Sequence, residues 1–374
     1  MRYAFLWNYV QRTQGCVYVY IDSLGFSGFR TLLFSQTLAT IEFFLWCWIN
    51  KIPRKTIKII TCYTKIIKND VLFSFAHGNF GGPYNDRQQR PIAVNRKKVL
   101  SSLNTIPAIK IVHLTHFMFD CENVSHNLQQ YNPDILVAES NLKQHSDLFK
   151  RKFCWFNGDV AVLPYAPQGR FKSKTDFLTR RSMAVAVGTL LYKINDPVFR
   201  TLYPDGELHP LRRRIYDYRA ELVDILDCRI METEEVAREE TPQTLRQKVV
   251  SLFRGGQSKY FSFDIVEVYN GYQMFLAPEE VTGLPSPSFA EGMACGCVLI
   301  TSKPEIYLSL GMQKGVHFIY YDGSITGLSQ VIKESQKNPE LLNKISIAGK
   351  EIANNLSAGD KICKEFLNRF SPNF

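Results

Sequence analysis

Two acids, Glu280 and Glu291, lie inside the stretch EEVTGLPSPSFAEGMACG (Glu279–Gly296). Ionised carboxylates only accept hydrogen bonds, and each takes more than one donor, so two of them a loop apart suit vicinal hydroxyl groups such as those of a sugar or a ribose. Between them, Gly283-Leu284-Pro285 predicts a tight turn whose main-chain N–H groups can approach a ligand. A helix starting near Phe289 would aim its positive end at the same place, which favours an anion such as a diphosphate. Its small residues Gly292, Ala294 and Gly296 predict close packing on a sheet. Plainer roles stand beside these: Glu291 as a helix N-terminal acid, and Glu280 as one of two adjacent surface acids with Glu279.

Other residues able to do chemistry are spread along the chain. Arg212, Arg213 and Arg214 open a helical pattern in HPLRRRIYDYR, where at most one or two can face a site and a solvated face is the alternative. His113 and His116 stand toward the end of IKIVHLTHF; a histidine there either accepts or orients a hydroxyl proton or is a satisfied structural residue. Gly25, Gly28 and Arg30 in LGFSGFR offer main-chain N–H groups and a cation, or form a plain strand–helix turn. His, Cys, Asp and Glu do not cluster at zinc spacing, and no metal is expected.

The elements that must position these groups read as alternating strands and helices. CVYVYIDS, TIKIITCY, DVLFSFA, IKIVHLTHF and DILVAES are short apolar runs in the first half. VAVLPYAPQGRFKSK (Val160–Lys174) ends such a run in prolines and a glycine and is the best linker. A second series follows: MAVAVGTL, AELVDILD, YQMFLAP, CVLITS and VHFIYYD, with a helix expected at TPQTLRQKVVSLFRG and two amphipathic helices from SQKNPELL onward. The reading is an α/β chain of two successive open parallel sheets, 1–170 and 171–355, with a C-terminal helix at 356–374. Ligands of such sheets lie outside the carboxyl ends of the strands, where the Glu279–Gly296 stretch falls, following YQMFLAP.

Composition bounds the class. A chain of 374 residues is long for one core, so two domains are the default. The 45% hydrophobic and 21% charged content is that of a globular protein and excludes disordered and collagen-like classes. Nine scattered cysteines without a CxxC predict free thiols in a reducing cytosol. The apolar window Thr31–Asn50 contains Gln36 and Glu42 and reads as a buried or surface-docked helix rather than a membrane span; no signal peptide is expected. The net charge of +10 is uneven: Met1–Arg170 holds 20 Lys/Arg against 10 Asp/Glu, and the remaining 25 and 25 cancel. A basic first half suits an anionic partner, with PRKTIKIITCYTKIIK and RQQRPIAVNRKK as contact segments on an acidic membrane face, or is simply a solvated surface. No nucleic-acid-binding signature accompanies the charge.

EVTGLP (Glu280–Pro285) and AEGMACGCVLIT (Ala290–Thr301) together resemble the donor-site signature E-G-F-G-L-P-x-x-E-A-M-A-C-G of retaining glycosyltransferases of the two-Rossmann GT-B fold, family 4. Three extra residues separate the two parts, so ten residues rather than seven lie between the glutamates. IDSLGFSGFR, VLPYAP, MAVAVGTL and FDIVEVYNGYQMFLAPEE are similar to other parts of that family. The resemblance implies two Rossmann-like domains facing across a cleft, a nucleotide-sugar donor held by the second and a glycan or lipid-linked acceptor by the first. It implies that Glu291 binds ribose hydroxyls and Glu280 those of the transferred sugar, with Gly283, Leu284 and Pro285 lining the sugar-phosphate pocket. It puts Gly188-Thr189-Leu190-Leu191-Tyr192-Lys193 at the family's G-R-L-x-x-x-K, with Thr189 in the arginine's place and Lys193 one residue early. Arg212 and Arg213 are a second supply of cations for the diphosphate, Gly28 belongs to the first-domain loop, and His116 stands where a histidine often faces the transferred sugar. The missing D-x-D triplet agrees with metal-independent transfer.

The expectation is thus a metal-independent hexosyltransferase-like enzyme that retains anomeric configuration, used in polysaccharide biosynthesis in the cytoplasm or peripherally at the membrane. A nucleotide-sugar epimerase and a catalytically silent sugar-nucleotide-binding protein are the alternatives.

Overall fold

Runs of Val, Ile, Leu and Phe without polar alternation suit central parallel strands buried on both faces, and the computed structural model contains two parallel sheets. It describes residues 109–232 and 263–357, apart from 115, 159, 166, 168, 191, 192 and 279, together with 17–19, 48, 57–59, 71–76, 80 and 81. The Gly25–Arg30 loop, with Gly28, most of Thr31–Asn50, the basic segment 87–98, the helix expected at 241–255 and the helix expected at 356–374 lie outside the described residues, save for the last two residues of the preceding helix.

The described residues form two compact units. The first takes those of Met1–Leu163 together with Ile194–Gly206, the second those of Pro164–Lys193 and Glu207–Ala358.

In the first unit the strands are β1 (Val17–Val19), β2 (Ile57–Ile59), β3 (Val71–Phe75), β4 (Ile109–His113), β5 (Ile135–Ala138) and β6 (Val160–Val162). They stand in the order β2-β1-β3-β4-β5-β6, every pair parallel. Helices α1 (Cys121–Tyr131), α2 (Leu142–His145) and α3 (Asp147–Lys152) follow β4 and β5. Phe117, Phe149 and Phe153 pack in the core, Phe149 and Phe153 stacked with centroids 4.8 Å apart. The excursion 194–206 adds α4 (Pro197–Leu202) to this unit. Buried Asp196 fastens it: Oδ1 caps the helix by accepting from Val198 N and Phe199 N, and Oδ2 accepts from Cys121 N at 3.1 Å.

In the second unit β7 (Arg181–Thr189), β8 (Leu226–Met231), β9 (Tyr272–Leu276), β10 (Val298–Thr301) and β11 (Phe318–Tyr320) stand in the parallel order β11-β10-β9-β7-β8. In chain order within this unit that is 2-1-3-4-5 from the far edge, a doubly wound sheet whose switch point lies between β7 and β9. The helices are α5 (Pro210–Asp217), α6 (Ile265–Gly271), α7 (Ser288–Ala294), α8 (Pro304–Leu308), α9 (Ile325–Gln336) and α10 (Pro339–Ser357). Leu328 and Ile332 of α9 and Leu342 and Ile345 of α10 join the core with Ala184, Ala186, Met274 and Ile300 of the sheet. At the amino end of the sheet Tyr272 Oη donates to Asp227, Arg229 Nε donates to Asp227 Oδ2 at 2.9 Å, and Arg181 Nη1 donates to Tyr272 Oη at 2.9 Å, tying β7, β8 and β9 together.

Two parallel sheets flanked by helices, with C-terminal helices α9 and α10, make this the GT-B type of two-Rossmann-domain architecture. One expected strand is corrected. Ala220–Ile225 forms consecutive turns, and β8 begins only at Leu226. Leu222 O accepts from both Ile225 N and Leu226 N, so Leu222 and Ile225 are buried at a three-residue spacing rather than by strand alternation.

Candidate functional site

The exit of β9 forms a closed loop at the carboxyl end of the second sheet. Glu280 N donates to Leu284 O, and Gly283 N donates to Glu280 O, both at 3.1 Å. Gly283 has φ +85, a left-handed conformation open to glycine, which is what the Gly-Leu-Pro reading required. Leu284 and Pro285 are buried beneath it. The half-buried Glu280 carboxylate accepts from Thr282 Oγ1 at 3.0 Å, and Thr282 itself is fully buried. A fixed donor on one oxygen sets the orientation of the carboxylate.

The three extra residues are absorbed where α7 starts. Phe289 N donates to Ser286 O at 3.1 Å, and the hydroxyls of Ser286 and Ser288 lie 2.8 Å apart across Pro287. Glu291 then falls in the first turn of α7. The helix lies close on β9: a Cβ on Gly292 would stand 2.6 Å from the Phe275 ring. It ends in a Schellman motif, with Gly296 at φ +81, Gly296 N donating to Met293 O and Cys297 N to Gly292 O. Burial pushes the Glu291 carboxyl up to about 7, against the opposing pull of Arg170. Glu291 charge in turn adds to the burial that raises the phenol of Tyr269 beneath it. Burial thus disfavours the ionised form of this carboxyl, and the charge of the exposed Arg170 partly restores it.

At the exit of β7 a second cluster forms. Gly188 has φ +147, and the buried Arg212 of α5 lies against it, donating from Nη1 to Thr189 O at 2.8 Å. Arg213 is half-buried and Arg214 exposed, as one helical face dictates. Lys193 pairs with Glu207 as an antiparallel bridge across the base of the 194–206 excursion. The Glu207 carboxylate lies 3.6 Å from Lys193 Nζ and 3.8 Å from Arg213 Nε. This cluster is tied to the Glu280 loop, since Val281 N donates to Leu208 O at 3.0 Å just before α5. Gly188, Arg212, Arg213 and Lys193 thus form one cluster at the exit of β7, and the Glu280–Pro285 loop at the exit of β9 is joined to its edge by the Val281–Leu208 bond, with Glu291 on the helix that follows.

The first unit places the histidines differently. His113 ends β4 and is fully buried, its Nε2 3.6 Å from Glu139 Oε1, and burial lowers its pKa to about 3. Burial thus favours its neutral form. His116 lies beyond the strand at φ +57, before a 3-10 turn (Phe117–Asp120), and is exposed with its ring 5.6 Å from that of Phe119. Glu139, Arg170 and Glu207 belong to no motif of the sequence, and Thr282 is hidden inside one. Thr282 within the turn was the one with a local signal.

Among the described residues no group of three or more His, Cys, Asp or Glu could hold a metal ion. Five cysteines are described, and all are free thiols. No helix among the described residues is long and apolar enough to cross a membrane.

No protein-family model matches the chain, and no curated protein matches it by sequence. Solved structures do. Sucrose-phosphate synthase (tll1590) from Thermosynechococcus elongatus is similar with a TM-score of 0.51 at 10% identity, over 96% of this chain and 99% of that one. Anabaena Alr3699/HepE, solved in complex with UDP and glucose, is similar with a TM-score of 0.50 at 12% identity, over 96% and 99%. Against TarM, at a TM-score of 0.45 and 9% identity, the chain spans 55% of that protein's length. At these identities the likeness is one of fold.

Proposed function

We propose that the protein is a glycosyltransferase that takes a sugar from a nucleoside diphosphate sugar and passes it to a glycan or lipid-linked acceptor, without a metal and with retained anomeric configuration. The observation that carries this is the linked pair of clusters at the β7–β9 switch point: a hydroxyl-accepting carboxylate on a glycine turn, hydrogen-bonded through Val281 to the segment that presents Arg212 and Arg213. Open α/β sheets bind nucleotides at such a switch point.

In this reading Glu291 accepts from the ribose hydroxyls and Glu280 from those of the sugar. Arg212, Arg213 and Lys193 face the diphosphate, and Gly188, Gly283, Leu284 and Pro285 let the backbone approach it. The bond from the anomeric carbon to the diphosphate oxygen breaks, its electron pair leaving with the nucleoside diphosphate. The bond from the acceptor oxygen to that carbon forms, and the acceptor proton passes to the departing phosphate or to His116. The cations stabilise the charge that grows on the leaving group, and fixed positions of donor and acceptor supply the rest of the rate. The basic segments of the first half dock the enzyme on an anionic membrane face, where lipid-linked acceptors are found.

Thr189 in the arginine's place favours a second reading, a sugar-nucleotide-binding protein that does not turn over. Incubating the full chain with a panel of nucleoside diphosphate sugars, following melting temperature and products, tests both. Transfer gives free nucleoside diphosphate and a glycoside, binding alone gives only a raised melting temperature, and a panel with neither sinks the reading. Salt-sensitive sedimentation with anionic vesicles is expected for the membrane-docked form, and its absence at low salt overturns that part.

A further inference from the structure

The cations Lys193 and Arg213 are not bare in this structure; an acid of the chain itself stands between them. Glu207 reaches this place because the 194–206 excursion returns beside its own start, where Ile194 N donates to Gly206 O at 2.8 Å and Lys193 faces Glu207 across a single bridge. Its carboxylate is mostly buried, with 14% of the side chain exposed, whereas Lys193 is 60% and Arg213 34% exposed. At 3.6 and 3.8 Å both contacts lie outside hydrogen-bond distance. A pair held by charge alone, at a wet surface, is worth little and is readily exchanged.

We infer that Glu207 is a charge filter on the anion site: it neutralises Lys193 and Arg213 in the ligand-free protein, so that only a ligand of two or more negative charges captures them. This rests on the reading that these cations face a diphosphate. A single-charged anion offers each cation no more than the carboxylate already does, and it meets the repulsion of a carboxylate it cannot drive away. A diphosphate presents several oxygens and higher charge, so it makes hydrogen bonds to Nζ and Nε that Glu207 does not, and the ion pairs are exchanged for charge-assisted bonds. Arg212 lies outside the filter, since its Nη1 is held by Thr189 O. The chain thus gains selectivity against the monovalent anions around it by weakening its own grip on the right ligand.

The test is calorimetric titration of the full chain and of Glu207→Gln with inorganic pyrophosphate, repeated with nitrate at matched ionic strength. Glu207→Gln is expected to bind pyrophosphate about fivefold tighter, the size of one exposed ion pair, and to let nitrate compete where the parent does not. Lys193→Gln is expected to lose pyrophosphate affinity and to shrink the gain from Glu207→Gln, and Lys193→Gln with Arg213→Gln to erase it. Unchanged or weaker pyrophosphate binding by Glu207→Gln overturns the inference, as does a gain that survives loss of both cations, or no pyrophosphate binding by any of the proteins. Pyrophosphate carries neither sugar nor nucleoside, so a filter that works while every sugar nucleotide fails to bind sinks the transferase reading alone.

Discussion

The guanidinium of Arg212 rests on the bare Cα of Gly188: a Cβ built there would stand 2.5 Å from Arg212 Nε. The chain thereby brings an arginine from α5 to the end of β7, where position 189 itself offers a threonine. Gly188→Ala is therefore expected to act twice. It strains a backbone at φ +147 and expels the guanidinium, lowering stability by about 1–3 kcal/mol in urea unfolding. It should also weaken nucleoside diphosphate binding with every charge retained. Arg212→Lys, which keeps the charge and loses the planar fork, is expected to weaken binding with a smaller loss of stability. Binding unchanged in both would remove Arg212 from the anion site.

Glu291 gives a pH dependence with a definite sign. Its carboxyl is raised from 4.5 to about 7 by burial, and only the ionised form accepts from two ribose hydroxyls. Nucleoside diphosphate binding is expected to strengthen as pH rises through about 7 and to level off above it. Stability of the ligand-free protein runs the other way. A carboxyl with a raised folded pKa contributes stability that is complete below about 4.5 and lost as pH rises through about 7, up to roughly 3 kcal/mol. Glu291→Gln should flatten both profiles and weaken binding about tenfold. A binding profile of the parent that is flat between pH 6 and 8 (about one unit either side of the titration) would exclude the ribose role.

The parts of this site that could be read from sequence are those fixed by neighbours along the chain. Val298–Thr301 and Tyr272–Leu276 are legible as strands because central parallel strands bury both faces. Gly283 announces a tight turn and Gly292 a close helix–sheet contact, whereas Gly296, read from sequence as part of the same small packing face, instead ends α7 in a left-handed conformation. Glu207 and Arg170 carry no such mark. Glu291 lies far from Arg170 in the chain, and Lys193 meets Glu207 only once the excursion has returned beside its own start. The turns at Ala220–Ile225 escaped for a related reason: a run of alternating apolar and acidic residues reads as a strand unless one knows that Leu222 and Ile225 face one core. His116 reads as the tip of an apolar run, yet β4 stops at His113 and leaves it in a left-handed turn.

Gly292→Ala tests whether that packing positions Glu291. The added methyl meets the Phe275 ring at 2.6 Å, a central residue of β9 with no room to give. Overpacking of this kind costs about 1–3 kcal/mol, measured as a lower midpoint of thermal or urea unfolding. Because α7 must lift to accept the methyl, nucleoside diphosphate affinity is expected to fall with it. A stable protein with full affinity would mean that the helix can shift without moving Glu291.

In the first unit, Asp196 holds α4 by two bonds from the helix start and one from Cys121 N. Asp196→Ala removes both acceptor oxygens, and with them all three bonds, at a buried position, so a loss of about 2–3 kcal/mol is expected in chemical unfolding. Asp196→Asn, which retains one oxygen, should recover part of it. Equal losses in both would place the effect in the carboxylate's charge rather than in its capping geometry.

Thr282→Val separates orientation from charge at Glu280. The hydroxyl donates to Glu280 Oε2 at 3.0 Å, and valine keeps the shape of a fully buried side chain while deleting that donor. Losing one hydrogen bond to a carboxylate costs about 1.5–3 kcal/mol where the group stays buried, but Glu280 is half exposed, and water can replace the donor. The stability change is therefore expected to stay near 1 kcal/mol. The carboxylate is then free to rotate, so turnover of a sugar nucleotide should fall more than its affinity. Glu280→Gln, which keeps the Thr282 contact and removes the charge, should lower both. If Thr282→Val transfers sugar at the parent's rate, Glu280 is held by something other than this hydroxyl, and its part in orienting the sugar fails.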